Sequence, residues 1–467
     1  MVTLEAPERK VERTPLNVVL VLDVSPSMND FMAGEKRTKI DGLKEVSRKI
    51  IQQLSSQDKV AIVSYAGTSR VELEGTSVSN KDKMYSIIDN LNTNEWATNI
   101  GAGLLDGLRC VDSDFKGTKR IFLVSDGNSN TGISRSEIKS LVKNRKSYDK
   151  NVVVSTFGLG SDCDQEFMAD VAKIGSGNYY FVRTVSDMAD TFARELGGAL
   201  ACEAQNIEIT IKPNDGNRVV SVLNDFNVED KNGVAVINAE DIFVGEKRHV
   251  LIEMEVDVVK HPKPRKVSVA HVDIRYHDAK TNKAEEDSHN VKVTFVSSDK
   301  ADKEDKIEVL EQVAVLSVAQ ASIEAVKFSN VGDFAAASSV YGKALEECGA
   351  AVDAGSILCS SIQDDVVARA GVWNAQSYSC DVGNDIASDS HGMRKARVST
   401  VRGISSKMYS NASVDCMVDN FSTTTDPTKT DFSTPIEKVD NVEIKIDANT
   451  VSKTFDGESF SKRRKQK

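Results

Sequence analysis

The feature that most constrains this fold is a series of short, almost wholly apolar segments between residues 15 and 200, separated by amphipathic ones. "LNVVLVL" (16–22), "KVAIVSY" (59–65), "KRIFLVS" (119–125) and "NVVVSTFGLG" (151–160) are rich in Val, Ile, Leu and Phe. Strands of that kind are buried on both sides, as in a parallel sheet covered by helices. "RVELEG" (70–75) alternates instead and reads as an edge strand. Between the runs, "KIDGLKEVSRKIIQQL" sets Ile40, Leu43, Val46, Ile50 and Leu54 on one helical stripe. "SRSEIKSLVKNRKSY" does the same with Ile138, Leu141 and Val142. Ser134 and Glu137 have capping-box spacing, and Ser186 is the expected N-cap of "SDMADTFARELGGAL". The pattern predicts an α/β, Rossmann-like domain over 13–201, a doubly wound and mostly parallel sheet.

After Cys202 the period changes from helical to alternating. "NIEITIKP", "RVVSVL", "VAVIN", "KRHVLIEMEVDV", "RKVSVAHVDIRYHD" and "HNVKVTFVSS" predict an antiparallel β-sandwich over 202–298. Residues 1–12 belong to no element of the first domain, and Val2 and Leu4 are expected to add a strand to the sandwich. The charged run "DKADKEDK" opens a small helical domain over 299–415. There "IEVLEQVAVLSVAQASIEAVKF" and "FAAASSVYGKALEECGAAV" form a hairpin across "SNVGD", and "SSIQDDVVARAGVWNAQSYS" and "HGMRKARVSTVRGISSKMYS" are further helices. Residues 416–467 are poor in apolar side chains and are expected to be mostly disordered. The ending "SKRRKQK" reads either as a nuclear address or as a solvated tail.

A net charge of -11 argues against nucleic acid and against an anionic membrane surface as partners. No stretch is expected to reach the ~20 apolar residues of a membrane span, and "MVTLEAPERKVERTP" lacks the apolar centre of a secretory signal, so a cytoplasmic location is expected. The seven cysteines are odd in number and never paired as C-x-x-C, which fits reduced thiols better than disulfides or a zinc site. "GLGSDC" departs from the dinucleotide-binding pattern at Cys163, where a third glycine belongs.

The chemistry concentrates at the ends of the apolar runs. In an open parallel sheet, ligands bind beyond the carboxyl ends of the strands, near the point where strand order reverses. Asp23 ends the first run, and "DVSPS" brings Ser25 and Ser27 with it. Thr98 stands in "EWATNIGAGL", before a helix, and Asp126 follows the run "FLVS". Five oxygen donors without His or Cys suit a hard cation, Mg2+ or Mn2+.

Asp23, Ser25, Ser27, Thr98 and Asp126 together resemble, in order and spacing, the metal-ion-dependent adhesion site of von Willebrand factor type A domains. The resemblance covers about residues 12–200 and includes "TNIGAGL", "SDG" and "TFGLG"; the wider layout looks like a multidomain subgroup of intracellular and bacterial proteins. Pro26 and Ala97 stand where glycine is common, a change that stiffens the loops without removing a donor. The resemblance implies that Ser25, Ser27 and Thr98 bind the cation directly or through water, while Asp23 and Asp126 hold it through water or by entering its coordination sphere. A carboxylate from an Asp or Glu of a protein partner would fill the vacant position, making the chain a non-enzymatic scaffold.

Three plainer or different readings stand beside this one. Asp23 and Asp126 are also residue types that cap strand-to-helix turns. A metal-assisted hydrolase would need a general base; all six histidines lie beyond the first domain, leaving Asp30 or Glu95 for that role. In a structural protein, the cation would only staple the loops together.

Overall fold

The computed structural model describes residues 1–6, 13–32, 34–93, 96–127, 129–149, 151–160, 162–257, 265–281, 283–296, 307–374 and 443–446. Strand β1 (Val2–Glu5) is followed by β2 (Leu16–Asp23), which runs through the middle of a six-stranded sheet. The rest of that domain is α1 (Lys39–Gln53), β3 (Lys59–Tyr65), β4 (Ser69–Ser77), α2 (Lys81–Asp89), α3 (Ile100–Arg109), β5 (Thr118–Ser125), α4 (Arg135–Tyr148), β6 (Val152–Leu159), α5 (Gln165–Ile174), β7 (Ser176–Val182) and α6 (Val185–Leu200). Strand order is β4-β3-β2-β5-β6-β7, parallel throughout except for β4, which runs antiparallel to β3 at the edge.

Because side chains alternate across a strand, β2 feeds two cores. Leu16, Val18, Leu20 and Leu22 pack with Leu43, Val46 and Ile50 of α1 and with Met188, Phe192 and Leu196 of α6. Val19 and Val21 face the other way, toward Leu104 and Leu108 of α3, Val142 of α4 and Met168 of α5. Burial on both faces explains why these strands lack a polar side. Helix α3 lies close on the sheet because of its glycines: a Cβ at Gly107 would come within 2.5 Å of Val21 Cγ2. The capping box expected at Ser134 and Glu137 forms. Helix α6, by contrast, is capped by Thr184 with Asp187, not by Ser186, since the helix starts two residues earlier than that cap implies, at Val185.

The sandwich comprises β8 (Cys202–Pro213), β9 (Arg218–Val222), β10 (Asn227–Lys231), β11 (Val234–Phe243), β12 (Lys247–Val250), β13 (Ile252–Glu255), β14 (Arg265–Asp278) and β15 (Ala284–Phe295). Its main sheet has the antiparallel order β10-β11-β8-β14-β15, with β13 paired to β9 separately. Strand β1 pairs antiparallel with β12, and Val2 and Leu4 enter the sandwich core. A buried ion pair joins the first domain to the sandwich: Arg120 of β5 donates to Asp241 Oδ2 of β11 at 2.6 Å. Lys146 of α4 is half-buried near the same carboxylate, and desolvation of its ammonium pushes it down to about 8.

Four helices follow, α7 (Ile307–Asn330), α8 (Phe334–Ser339), α9 (Tyr341–Asp353) and α10 (Ile357–Asn374), around a core that includes Ala314, Val318, Tyr341, Cys348 and Cys359. Two features were not expected. Helix α7 carries no charged residue between Glu311 and Glu324 and is long and apolar enough, by length and composition, to cross a membrane; here more than half of it is buried within the fold. Within the stretch expected to be mostly disordered, β16 (Glu443–Ile446) pairs antiparallel with β1; its sequence "EIKI" has the alternation of a strand. The helix expected over 391–410 lies outside the described residues.

Candidate metal centre

Strands β3 and β5 flank β2, and the chain visits β3 first before returning to β5. The order of strands therefore reverses between β2 and β5, which opens a crevice at their carboxyl ends. Asp23 ends β2 and Asp126 follows β5, so the parallel register of these neighbours, with Leu22 opposite Val124, delivers both carboxylates to that crevice.

Both oxygens of Asp23 are engaged. The Ser25 N–H donates to Oδ1 at 2.9 Å, a local turn that fixes the first loop, and the Ser125 hydroxyl donates to Oδ2 at 2.9 Å. Ser25 also stands at the N-cap position of a 3-10 turn, Pro26–Asn29, without a capping bond from its side chain, and Pro26 occupies the first position, where its missing N–H costs nothing. That turn carries Ser27 back toward the crevice. The Ser27 hydroxyl donates to Asp126 Oδ1 at 2.8 Å and lies 3.1 Å from Ser25 Oγ. Asp126 Oδ2 accepts from Lys39 Nζ at 2.8 Å. Asp23, Ser25 and Asp126 are buried and Ser27 is half-buried.

Thr98 reaches the same rim by a different route. Its N–H donates to Asn130 Oδ1 at 2.8 Å, and its carbonyl accepts from the Asn130 N–H and the Ser129 hydroxyl, which belong to the loop after Asp126. Asn99 then caps α3 by accepting from the Ala102 N–H. Four of the five expected residues form one hydrogen-bonded cluster; Thr98 is docked against it through its backbone, with no hydrogen bond from its hydroxyl to the cluster among the described residues. Ala97 has φ +145, a conformation natural to glycine. Asp30 is exposed, and Glu95 lies outside the described residues.

Two buried carboxylates so close together repel. Burial, and then the charge of Asp126, push the Asp23 carboxyl up to about 6. Among the described residues no three His, Cys, Asp or Glu side chains gather into a metal cluster; this rim combines two carboxylates with hydroxyls. That donor set fits a hard divalent cation, whose charge would relieve the repulsion. Ser25, Ser27, Asp23 and Asp126 are the side chains placed to hold it, with Thr98 on the neighbouring loop.

Sequence reading missed Lys39, Ser125 and Tyr65. The Tyr65 hydroxyl donates to the Val124 carbonyl at 2.7 Å, and the Tyr65 carbonyl accepts from the Val24 N–H, bracing both loops from β3. Three exposed apolar side chains on the site loops also escaped it. Phe31 is 67% exposed and Trp96 90%, and Ile133 is exposed as well. One lies on each of the three site loops, and an Asn29-to-Thr93 hydrogen bond of 2.6 Å ties the first two loops together.

Comparison with known proteins agrees with this architecture. Residues 17–194 match the model of the von Willebrand factor type A domain family. The uncharacterized protein YfbK of Escherichia coli is 33% identical over 218 residues, which cover 46% of this chain and 36% of that protein. The uncharacterized protein sll0103 of Synechocystis is 21% identical over 276 residues, 57% of this chain and 62% of that one. The chain thus spans about a third of one relative and under two thirds of the other. Among solved structures, a von Willebrand factor type A protein from Catenulispora acidiphila superposes with a TM-score of 0.64 at 17% identity, over 82% of this chain and 93% of that one. At that identity the likeness establishes fold alone, but it extends well beyond the first domain. Residues 17–194 of this chain form a von Willebrand factor type A domain.

Proposed function

We propose that the rim formed by Asp23, Ser25, Ser27, Thr98 and Asp126 holds Mg2+ or Mn2+ and uses it to capture an Asp or Glu side chain of a protein partner. The observation that carries this reading is the convergence of two buried carboxylates on bridging serine hydroxyls at the topological switch point. Domains of this type typically mediate protein interactions. Neutral hydroxyls among the donors leave the cation underneutralised, so it retains attraction for an incoming carboxylate. The chain's part is to position the donors. On this reading it is a binding scaffold and not an enzyme.

Phe31, Trp96 and Ile133 support the same reading from another direction. Exposed large apolar side chains on the loops that carry a polar centre are common on partner surfaces, and tryptophan is enriched among residues that dominate binding energy. The partner we infer presents its acid between apolar residues.

The test is affinity capture from the source cell with the immobilised full chain, run with Mg2+, with EDTA, and with Asp23→Ala. Partners retained only by the wild-type chain in Mg2+ support the reading. Retention that ignores both EDTA and the substitution removes it. Thermal stabilisation by Mg2+ with no cation-dependent partner would favour the metal as a structural staple.

A further inference from the structure

We infer that Lys39 is the charge-setting residue of this rim: a built-in counter-cation that loosens the grip on the divalent ion and leaves the loaded site positive enough to draw in an acid. The inference rests on the reading above that the rim takes a divalent cation.

Lys39 is the first residue of α1, and its position is tightly determined. Thr38 caps the helix by accepting from the Asp41 N–H, and the Lys39 N–H donates to the Asp30 carbonyl at 2.9 Å, anchoring the helix start to the loop that carries Ser25 and Ser27. The Lys39 side chain is only 7% exposed and that of Asp126 is 0% exposed, with 2.8 Å between Nζ and Oδ2. A cation in the first turn of a helix opposes the helix dipole, and burying an ammonium adds a desolvation cost. Ion pairing with Asp126 is the interaction that offsets both.

Charge balance gives this pair its consequence. Asp23 and Asp126 contribute two negative charges, and Lys39 cancels one. A divalent cation then leaves one net positive charge on the rim, where without Lys39 it would leave none. An incoming carboxylate meets that surplus in a buried setting, where solvent screens it weakly. Lys39 and the cation also compete for Asp126, so the same lysine weakens metal affinity while strengthening acid affinity. It acts through Asp126 as a positioning residue.

The experiment uses the full chain as wild type, Lys39→Met and Lys39→Arg. Mg2+ alone is titrated by calorimetry, and a capped peptide with a single glutamate is titrated by NMR at saturating Mg2+. Lys39→Met should bind Mg2+ about tenfold more tightly, because one nearby like charge is gone. Its melting temperature should rise more on Mg2+ addition than that of wild type, and its affinity for the peptide should fall. Lys39→Arg should return both affinities toward wild type. If Lys39→Met does not fold, Lys39→Gln carries the same expectations. A wild type that binds Mg2+ and a neutral variant that binds it no more tightly overturn this inference alone. Failure of every form to bind Mg2+ overturns it together with the reading beneath it.

Discussion

The ammonium of Lys39 and the carboxylate of Asp126 meet 2.8 Å apart, 87 positions apart in sequence, with neither side chain open to solvent. One comes from the start of α1 and the other follows the end of β5, so their contact ties α1 to the loop after β5. Ser27 holds the remaining oxygen of Asp126, which makes that carboxylate the joint between the first and third loops.

The raised Asp23 carboxyl makes the site pH-dependent. With its folded value near 6 and an ordinary value of 3.8, the metal-free fold holds a proton that the unfolded chain has released between those limits. The resulting stabilisation is fully present below pH 4 and is lost as pH rises through 6, amounting to roughly 3 kcal/mol. Mg2+ requires the ionised form, so its affinity should climb over the same window. Melting curves from pH 4 to 7 in EDTA and in Mg2+, for wild type and Asp23→Asn, check this: the two wild-type curves should diverge as pH rises, and the Asp23→Asn curves should not.

Trp96, 90% exposed, is the most exposed large apolar side chain described in the first domain, two residues before Thr98 on the second site loop. Trp96→Ala should weaken partner capture about tenfold or more, as loss of an aromatic anchor does. Its Mg2+ affinity should remain that of wild type. Paired pull-down and calorimetry separate the two effects.

Ala97 holds a glycine-like backbone conformation immediately before Thr98. Ala97→Gly should remove that strain and stabilise the protein by about 1 kcal/mol, the usual cost of such a conformation less glycine's extra chain entropy. Chemical denaturation measures it, and unchanged or lowered stability would contradict the strain.

Arg120 and Asp241 bind the first domain to the sandwich through a buried pair. Arg120→Met should cost about 3 kcal/mol, because it leaves a buried carboxylate short of its partner. The double variant Arg120→Met, Asp241→Leu should recover part of the loss, since both charges then leave the interior. Thermal unfolding of the single and double variants decides it.

Much of the site was readable in the sequence for a physical reason. Asp23, Ser25 and Ser27 fall within five residues at the end of a doubly buried strand, and Asp126 follows another such strand directly. Local patterns place residues of that kind. Lys39 was not readable, because a lysine in the first turn of an amphipathic helix looks like a solvated residue until β5 brings Asp126 to it. Ser125 and Tyr65 were hidden likewise, since each reads as part of a strand. Helices α2 and α5 and strand β7 were not singled out either. Strand β7 begins at Ser176, whose φ of +57 breaks the extended pattern at its first residue, and tertiary pairing with β6 completes it. The apolar stretch of α7 was missed because a scattering of small and polar residues conceals a charge-free core of the helix.

Calorimetric titration of Mg2+ into the EDTA-treated full chain tests the central claim most directly. The expected result is a single ion bound per chain by wild type, and none by Ser27→Ala combined with Asp126→Asn, with both proteins folded by circular dichroism. A folded wild type that takes up no Mg2+ at millimolar concentration, or a double variant that binds as wild type does, would contradict the account.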